Sequence, residues 1–471
     1  MLLALSFTAA IQEQADAAKT AARTVLPAGI QRYELGRRTR QMERAWIACS
    51  DADRRREAIP IVQNAVTGFF SMNLAGVARS LDEAGAVLRG ETRSPAQCWA
   101  DAIVVSVSPR VVSTGPSTIR VHCDIFYAPS VDRPTMNLTL SLGETTLMDR
   151  PFTGTFDDDV ELPAGQPGDW AMTVRAVAGG EVVREWPIGI SRVSDLERRL
   201  EQLAADLASP GAERNPIELA TARYLADLLS RLARGETLET DVAASRLLAE
   251  AESLVRAAAS ELPARESRTG DFYIAVPIAK VPAAVRVYAP DRDAEVLVVA
   301  LHGAGGSANM FADAYGDGLI VRLCKDRGWA LAAPGYRTPL DDLWAIVTPI
   351  QQRIAPSARR LFVVGHSLGA VTALRMGQMK PEGVHAIAAI SGGSFGDLAP
   401  LARMPVFVAA GTLDFGKAGS TSVAKRLEEL GAPVQMRLYD CEHLLVVPDS
   451  LPEIFRWLDT LAQEEADSDQ Q

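Results

Sequence analysis

The sequence predicts a multidomain chain: a doubly wound, mostly parallel α/β sheet in the C-terminal part, preceded by helical segments and an all-β sandwich. Three observations lead there. At 471 residues the chain is too long for one ordinary core. From about residue 270, continuous apolar runs alternate with amphipathic segments, as parallel strands covered on both faces and their crossover helices require. Between residues 101 and 193, short β-branched runs alternate with polar positions and are separated by Gly, Pro, Asp and Ser.

The chain opens on MLLALSFTAAIQEQ, an apolar run ending in small residues, with Thr8 and Ala10 spaced as positions −3 and −1 of a cleavage site. Residues 1–20 resemble a signal peptide, although no Lys or Arg precedes the apolar stretch. With it the protein is expected to be exported, periplasmic or extracellular; if the segment is a buried first helix instead, the protein is cytoplasmic. No later stretch holds about 18 uninterrupted apolar residues, so no transmembrane anchor is expected. Residues 21–100 are rich in Ala, Arg, Glu and Gln, with apolar positions at helical spacing and breaks at Pro27-Ala28-Gly29, Gly68, Gly76 and Gly90.

The runs IVVSVSPRVV, STIRVHCDIFYAP, NLTLSLG and those that follow to residue 193 resemble an immunoglobulin-like sandwich in architecture alone, since the Cys…Trp…Cys arrangement is missing. His122 and Trp170 read there as packing residues. A helical connector is expected over 194–265. Leu196, Leu200, Leu203 and Leu207 form one apolar stripe, and Tyr224, Leu225, Leu228, Leu229 and Leu232 another. Asn215-Pro216 starts a helix and Gly235 ends it. The α/β unit spans 270–464, and the acidic tail 465–471 reads as disordered.

Composition narrows the partners. Apolar residues make up 48% and charged residues 23%, ordinary for a folded globular protein. A net charge of −11 argues against nucleic acid or an anionic membrane as partner. The clusters Arg37-Arg38 and Arg54-Arg55-Arg56 read as solvated helix faces; protein partners stay open. The five cysteines (Cys49, Cys98, Cys123, Cys324, Cys441) form no CxxC pair of the kind that holds zinc or makes a redox dithiol. One Cys49–Cys98 bridge is compatible with an exported chain.

Chemistry concentrates at the carboxyl ends of strands in such a sheet. After EVLVVAL comes His302-Gly303-Ala304-Gly305-Gly306, and after LFVV comes Gly365-His366-Ser367-Leu368-Gly369. After PVFVAAG comes Thr412-Leu413-Asp414, and His443 follows VQMRLYD. GHSLG fits the GxSxG turn that carries a nucleophilic serine, with Gly365 and Gly369 leaving room for a sharp strand-to-helix bend. The helix beginning at Leu368 aims its positive end at Ser367. A serine hydroxyl needs a base, which needs an orienting carboxylate. His443 is the best-placed histidine for that base, with His385 read as structural and His366 as packing beneath the turn. Asp414 is the preferred acid, Asp397 the runner-up, and Asp440 lies too near His443 along the chain. HGAGG resembles an HGGG-type oxyanion loop, so the donors are assigned to the N–H groups of Leu368 and Ala304, with Gly305 the alternative and His302 and Gly303 in support.

HGAGG, GHSLGA, GTLD and the late EH together make residues 270–464 similar to the α/β-hydrolase superfamily. Within it the nearest likenesses are polyhydroxybutyrate depolymerase-like and dienelactone hydrolase-like esterases and the catalytic domain of prolyl-oligopeptidase-type peptidases. The resemblance implies the chain order Ser, Asp, His and acyl transfer to water through an acyl-serine, without metal or cofactor. The segment SGGSFGDLAPLARM leaves no room for the helical lid that many lipases insert there. A lidless, open site acting on a small-molecule or polymeric ester is therefore expected. A serine peptidase of similar fold is the alternative, and a non-catalytic surface or binding protein the third reading.

Overall fold

A computed structural model of the chain describes residues 26–209, 214–260, 267–278, 282–336 and 342–468. The signal-peptide reading of 1–20 lies outside them. Four helices come first: α1 (Ala28–Ala48), α2 (Ala52–Phe70), α3 (Leu74–Arg89) and α4 (Pro95–Ala102). Each break follows local chemistry. Asp51 caps α2 by accepting the N–H groups of Asp53 and Arg54; Asn73 caps α3, and Gly90 ends it in a left-handed conformation. Ser94 and Gln97 form a capping box on α4.

Strands β1 (Ile103–Ser108), β2 (Val111–Ser113), β3 (Ser117–Ile125), β4 (Asn137–Leu142), β5 (Thr145–Pro151), β6 (Phe156–Leu162), β7 (Gly168–Ala178) and β8 (Glu181–Val193) make two sheets. One has three strands in the order β1-β3-β6, the other five in the order β2-β8-β7-β4-β5. Alternate residues of both, among them Val105, Val121, Leu140, Val174 and Trp186, share one apolar core. His122 and Trp170 lie outside that core, contrary to their reading as packing residues. The His122 ring lies 2.9 Å from Asp157 on the neighbouring strand, and Trp170 is 47% exposed. His122 stands on the outer face of the central strand β3, opposite the core residues Val121 and Cys123, and Trp170 lies near the start of β7, before its first core residue Met172.

Helices α5 (Leu196–Leu207), α6 (Pro216–Ala233) and α7 (Ala244–Ala258) form the connector. Their leucine stripes bury against one another, against Val111 and Val193 of the two-sheet unit, and against Tyr273 of the last unit. That last unit contains β9 (Gly270–Val276), β10 (Ala283–Ala289), β11 (Val296–Leu301), α8 (Met310–Asp313), α9 (Tyr315–Arg327), β12 (Ala330–Pro334), α10 (Trp344–Ile354), β13 (Arg360–His366), α11 (Leu368–Met379), β14 (Ala386–Ile390), β15 (Val406–Gly411), α12 (Lys417–Glu429), β16 (Val434–Tyr439) and α13 (Val446–Ser468). Its sheet has eight strands in the order β16-β15-β14-β13-β11-β12-β10-β9. All neighbours run parallel from β16 to β12; β10 is antiparallel to both β12 and β9. The sequence expectation omitted β9. Helix α13 runs through Ser468, and the rest of the acidic tail lies outside the described residues.

One face of this sheet is covered by α10, α11 and α12. The opposite face buries Val298, Phe362 and Phe407 together with Phe455 of α13, and also with Met42 and Trp46 of α1 and Ile59 and Val62 of α2. The N-terminal helices therefore complete the C-terminal unit's own core rather than forming a separate body. Trp46 donates its indole N–H to Asp449 of α13 at 2.8 Å, and Arg44 holds Asp317 with two bonds of 2.7 and 2.8 Å. Arg37 and Arg38 are not solvated, as their run of charge suggested. Both are buried against Glu34, and Arg38 also reaches Asp82 at 3.0 Å. Arg55 lies over the Trp46 ring at 4.4 Å, whereas Arg56 is exposed. All five cysteines are free thiols; the Cys49 thiol points to the carbonyl of Asp51 at 3.6 Å, not to Cys98.

Candidate active site

Ser367 is the single residue between β13 and α11, and its backbone sits at φ 56°, ψ −115°. Such a conformation costs a non-glycine residue on the order of 1–3 kcal/mol and persists only where surroundings impose it. Here they do. The Ser367 N–H donates to Ile390 of β14 at 2.8 Å, pinning the turn to the next strand. A Cβ on Gly365 would fall 2.1 Å from the Gly369 carbonyl oxygen, and one on Gly369 would fall 1.8 Å from that of Leu301. Both glycines are demanded by close backbone approach, not by their own dihedral angles.

Asp414 follows β15 and His443 follows β16. The His443 Nδ1–H donates to Asp414 Oδ1 at 2.7 Å, and the same oxygen accepts the Gly416 N–H at 2.6 Å. Burial alone would raise the Asp414 carboxyl, but the hydrogen bond and charge of His443 hold it below the usual carboxylate range. With Nδ1 carrying the proton, neutral His443 has its lone pair on Nε2. Phe415 stacks on the imidazole, centroids 4.1 Å apart. Asp397 caps a short turn through the Ala399 N–H, and Asp440 accepts from Thr412, so neither competes for His443. His385 accepts the N–H of Leu361 at 3.2 Å, tying β13 to the start of β14 as expected.

The HGAGG loop leaves β11 and turns across Ser367. Among the described residues, no acceptor takes the N–H groups of Ala304, Gly305 or Leu368. Gly303 is held from beneath. Its N–H donates to the Tyr315 hydroxyl at 3.4 Å, and that hydroxyl donates to His366 Nδ1 at 2.7 Å. The Nε2–H of His366 donates to the His443 carbonyl at 2.9 Å. A carbonyl only accepts, so the tautomer of His366 follows, and burial pushes its basicity down to about 3. One neutral ring thus links the HGAGG loop, the serine turn and the loop of His443. His302 stacks on Tyr336, whose hydroxyl donates to the His302 carbonyl at 2.6 Å.

Two residues from far upstream brace the same loop. Arg32 of α1 donates to the Gly305 carbonyl at 3.1 Å and pairs with Glu239 at 2.6 Å. Glu239 also accepts from Ser307 and from Asn309, the latter at 2.6 Å. Between these elements lies a cavity of about 260 Å3 that Ser367, His443, Gly303, Ala304 and Gly305 all line, together with residues of α1, α2 and α3. The segment between β14 and β15 is short, but the roof is supplied by the N-terminal helices.

The predicted residues therefore converge: Ser367, His443, Ala304, Gly303 and Gly305 on one cavity, Asp414 behind His443, His302 under the loop, and Gly365 and Gly369 inside the turn. Tyr315, Arg32, Glu239 and Phe415 were not anticipated. Only the Gly-flanked segment around Tyr315 carried a local signal: Tyr315, Gly316, Asp317 and Gly318 all have positive φ, a non-helical turn at the start of α9.

Residues 298–467 match the alpha/beta hydrolase family. The C-terminal unit is an α/β-hydrolase domain. Among similar solved structures is the fluorophosphonate-binding serine hydrolase FphF of Staphylococcus aureus, substrate bound: 13% identity over 40% of this chain and 98% of that one, TM-score 0.34. Esterase PE8 is 22% identical over 37% of this chain and 97% of its own, TM-score 0.32. Est1E of Butyrivibrio proteoclasticus is 12% identical over 42% and 99%, TM-score 0.34. No curated protein matches the chain. No helix among the described residues is long and apolar enough to cross a membrane.

Proposed function

We propose that this α/β-hydrolase chain cleaves carboxylic esters of small molecules through an acyl-serine, with Ser367 as nucleophile, His443 as base and Asp414 orienting it. The observation that carries this reading is the 2.7 Å bond from His443 to Asp414, next to a cavity lined by both His443 and Ser367. In the first half-reaction Ser367 Oγ attacks the ester carbonyl carbon while His443 Nε2 takes the hydroxyl proton. The resulting oxyanion is met by the N–H groups of Leu368 and Ala304, with Gly305 as the alternative second donor. Collapse of the tetrahedral intermediate expels the alcohol, which receives its proton from His443. Water, deprotonated by the same nitrogen, then attacks the acyl-serine carbonyl and releases acid and free Ser367. A polymeric substrate, expected of an open site, fits a roofed cavity poorly. We read the two-sheet unit as immunoglobulin-like, on the strength of its three- and five-stranded sheets around one core.

The test is turnover of p-nitrophenyl butyrate together with labelling by a fluorophosphonate. Both are expected in the intact chain and absent in Ser367→Ala. Labelling that persists in the variant, or a preference for a peptide anilide over the ester, overturns the assignment.

A further inference from the structure

The roof of the cavity is apolar where it matters for recognition. Leu35 comes from α1, Ala65 and Phe69 from α2, Val77 and Leu81 from α3, and Met310 from α8. Three helices that precede the catalytic unit by some two hundred positions of chain thus face Ser367. The close fit is specific at one point: a Cβ on Gly305 would sit 2.8 Å from the Phe69 ring, so the ring rests directly on the oxyanion loop.

The two sides of the site differ. His443 returns its proton to the leaving oxygen, so the alcohol departs on the side of His443. There Phe415 stacks on the imidazole and meets Phe70 at 5.8 Å, and both rings are open to solvent, 64% and 56% exposed. The cavity itself runs along Gly303 to Gly306 under Ala65 and Phe69 of α2 and Val77 and Leu81 of α3, with Ser367 and His443 on its wall. An apolar cavity of about 150 Å3 holds one benzene molecule. By that measure 260 Å3 has room for roughly ten carbon atoms, part of which the ester group itself takes.

We propose that the cavity beneath α1, α2 and α3 is an acyl-binding pocket for a linear aliphatic acyl group of about eight carbons, with Ala65 and Phe69 setting its depth. This rests on the ester hydrolase reading above. The N-terminal helices then act as the specificity element of the enzyme, doing from upstream what an inserted lid does elsewhere.

The test is kcat/KM of the full chain on p-nitrophenyl esters from acetate to palmitate, the leaving group held constant. Each methylene buried in the pocket is worth about fourfold. The expected profile climbs at least 100-fold from acetate to octanoate and falls beyond dodecanoate. Ala65→Phe is expected to lower the octanoate-to-acetate ratio at least tenfold. Phe69→Ala is expected to raise the dodecanoate-to-octanoate ratio, and this second variant reads out the pocket if the first does not fold, which a melting curve reports. A flat profile from acetate to dodecanoate, or ratios unchanged in a folded variant, overturns the pocket while leaving ester hydrolysis intact. No turnover of any ester, with no fluorophosphonate labelling, overturns the hydrolase reading itself and the pocket with it.

Discussion

The Tyr315 hydroxyl lies 2.7 Å from Nδ1 of His366, and the other nitrogen of that ring lies 2.9 Å from the carbonyl of His443. Together they link the HGAGG loop, proposed to receive the oxyanion, to the loop of His443, the proposed base. Tyr315→Phe removes the donor and leaves the ring volume. One lost neutral hydrogen bond is worth roughly 0.5–1.5 kcal/mol, so kcat is expected to fall up to about tenfold. KM should stay near the native value, since the cavity walls are unchanged. Steady-state kinetics on an octanoate ester separate the two; a rise in KM at constant kcat would contradict the positioning role.

Asp414 holds the His443 tautomer. Asp414→Asn presents an amide whose N–H₂ faces a nitrogen that must itself donate, which favours the wrong tautomer. A comparable substitution in a serine protease lowers kcat by about 10⁴, and a loss of that order is expected here. Asp397→Asn, made at a loop residue that only caps a turn, should retain native turnover. Equal losses in the two variants would reassign the acid.

Stability should depend on pH through two buried groups of opposite sign. Burial pushes the Glu43 carboxyl from 4.5 up to about 8, against the pull of the N–H groups of Gly316 and Asp317. The folded protein keeps a proton there that the unfolded chain releases, so stability falls as pH rises from about 4.5 to 8. His366 acts the other way. Burial, then the neighbouring His443, lower it from 6.5 to about 3, so stability is lost as pH falls from 6.5 toward 3. Thermal melting at pH 5.5 and pH 9 tests the first effect: the native protein is expected to lose more between them than Glu43→Gln does. Parallel losses would show that Glu43 ionises without cost.

Much of the catalytic unit was legible from local pattern. GHSLG specifies its own geometry, because only glycine at 365 and 369 tolerates backbone atoms at under 2.5 Å from a Cβ. Continuous apolar strands reveal a sheet covered on both faces. β9 was missed because Gly270–Val276 is a single antiparallel edge strand whose covering helix, α6, lies upstream of it rather than in the strand-helix alternation that follows. Arg37 and Arg38 were read as solvated because a run of charge carries no record of its partners. Glu34 lies on the same helix, but Asp82 comes from α3.

By itself the sequence determined where the proposed reacting groups lie: the serine turn, the strand-end positions of Asp414 and His443, and the glycine-rich loop. These depend on contacts a few residues apart or on the regular alternation of strand and helix. Only the tertiary structure decided what surrounds that machinery. Arg32 and Glu239 reach Gly305 and Ser307, and Phe69 reaches Gly305, across spans of chain that no periodicity encodes. The helices α1 to α3 are amphipathic in any setting. That their apolar faces close the cavity over Ser367 follows from which surface was left to bury, the apolar layer that α9 and α13 present on the second face of the eight-stranded sheet.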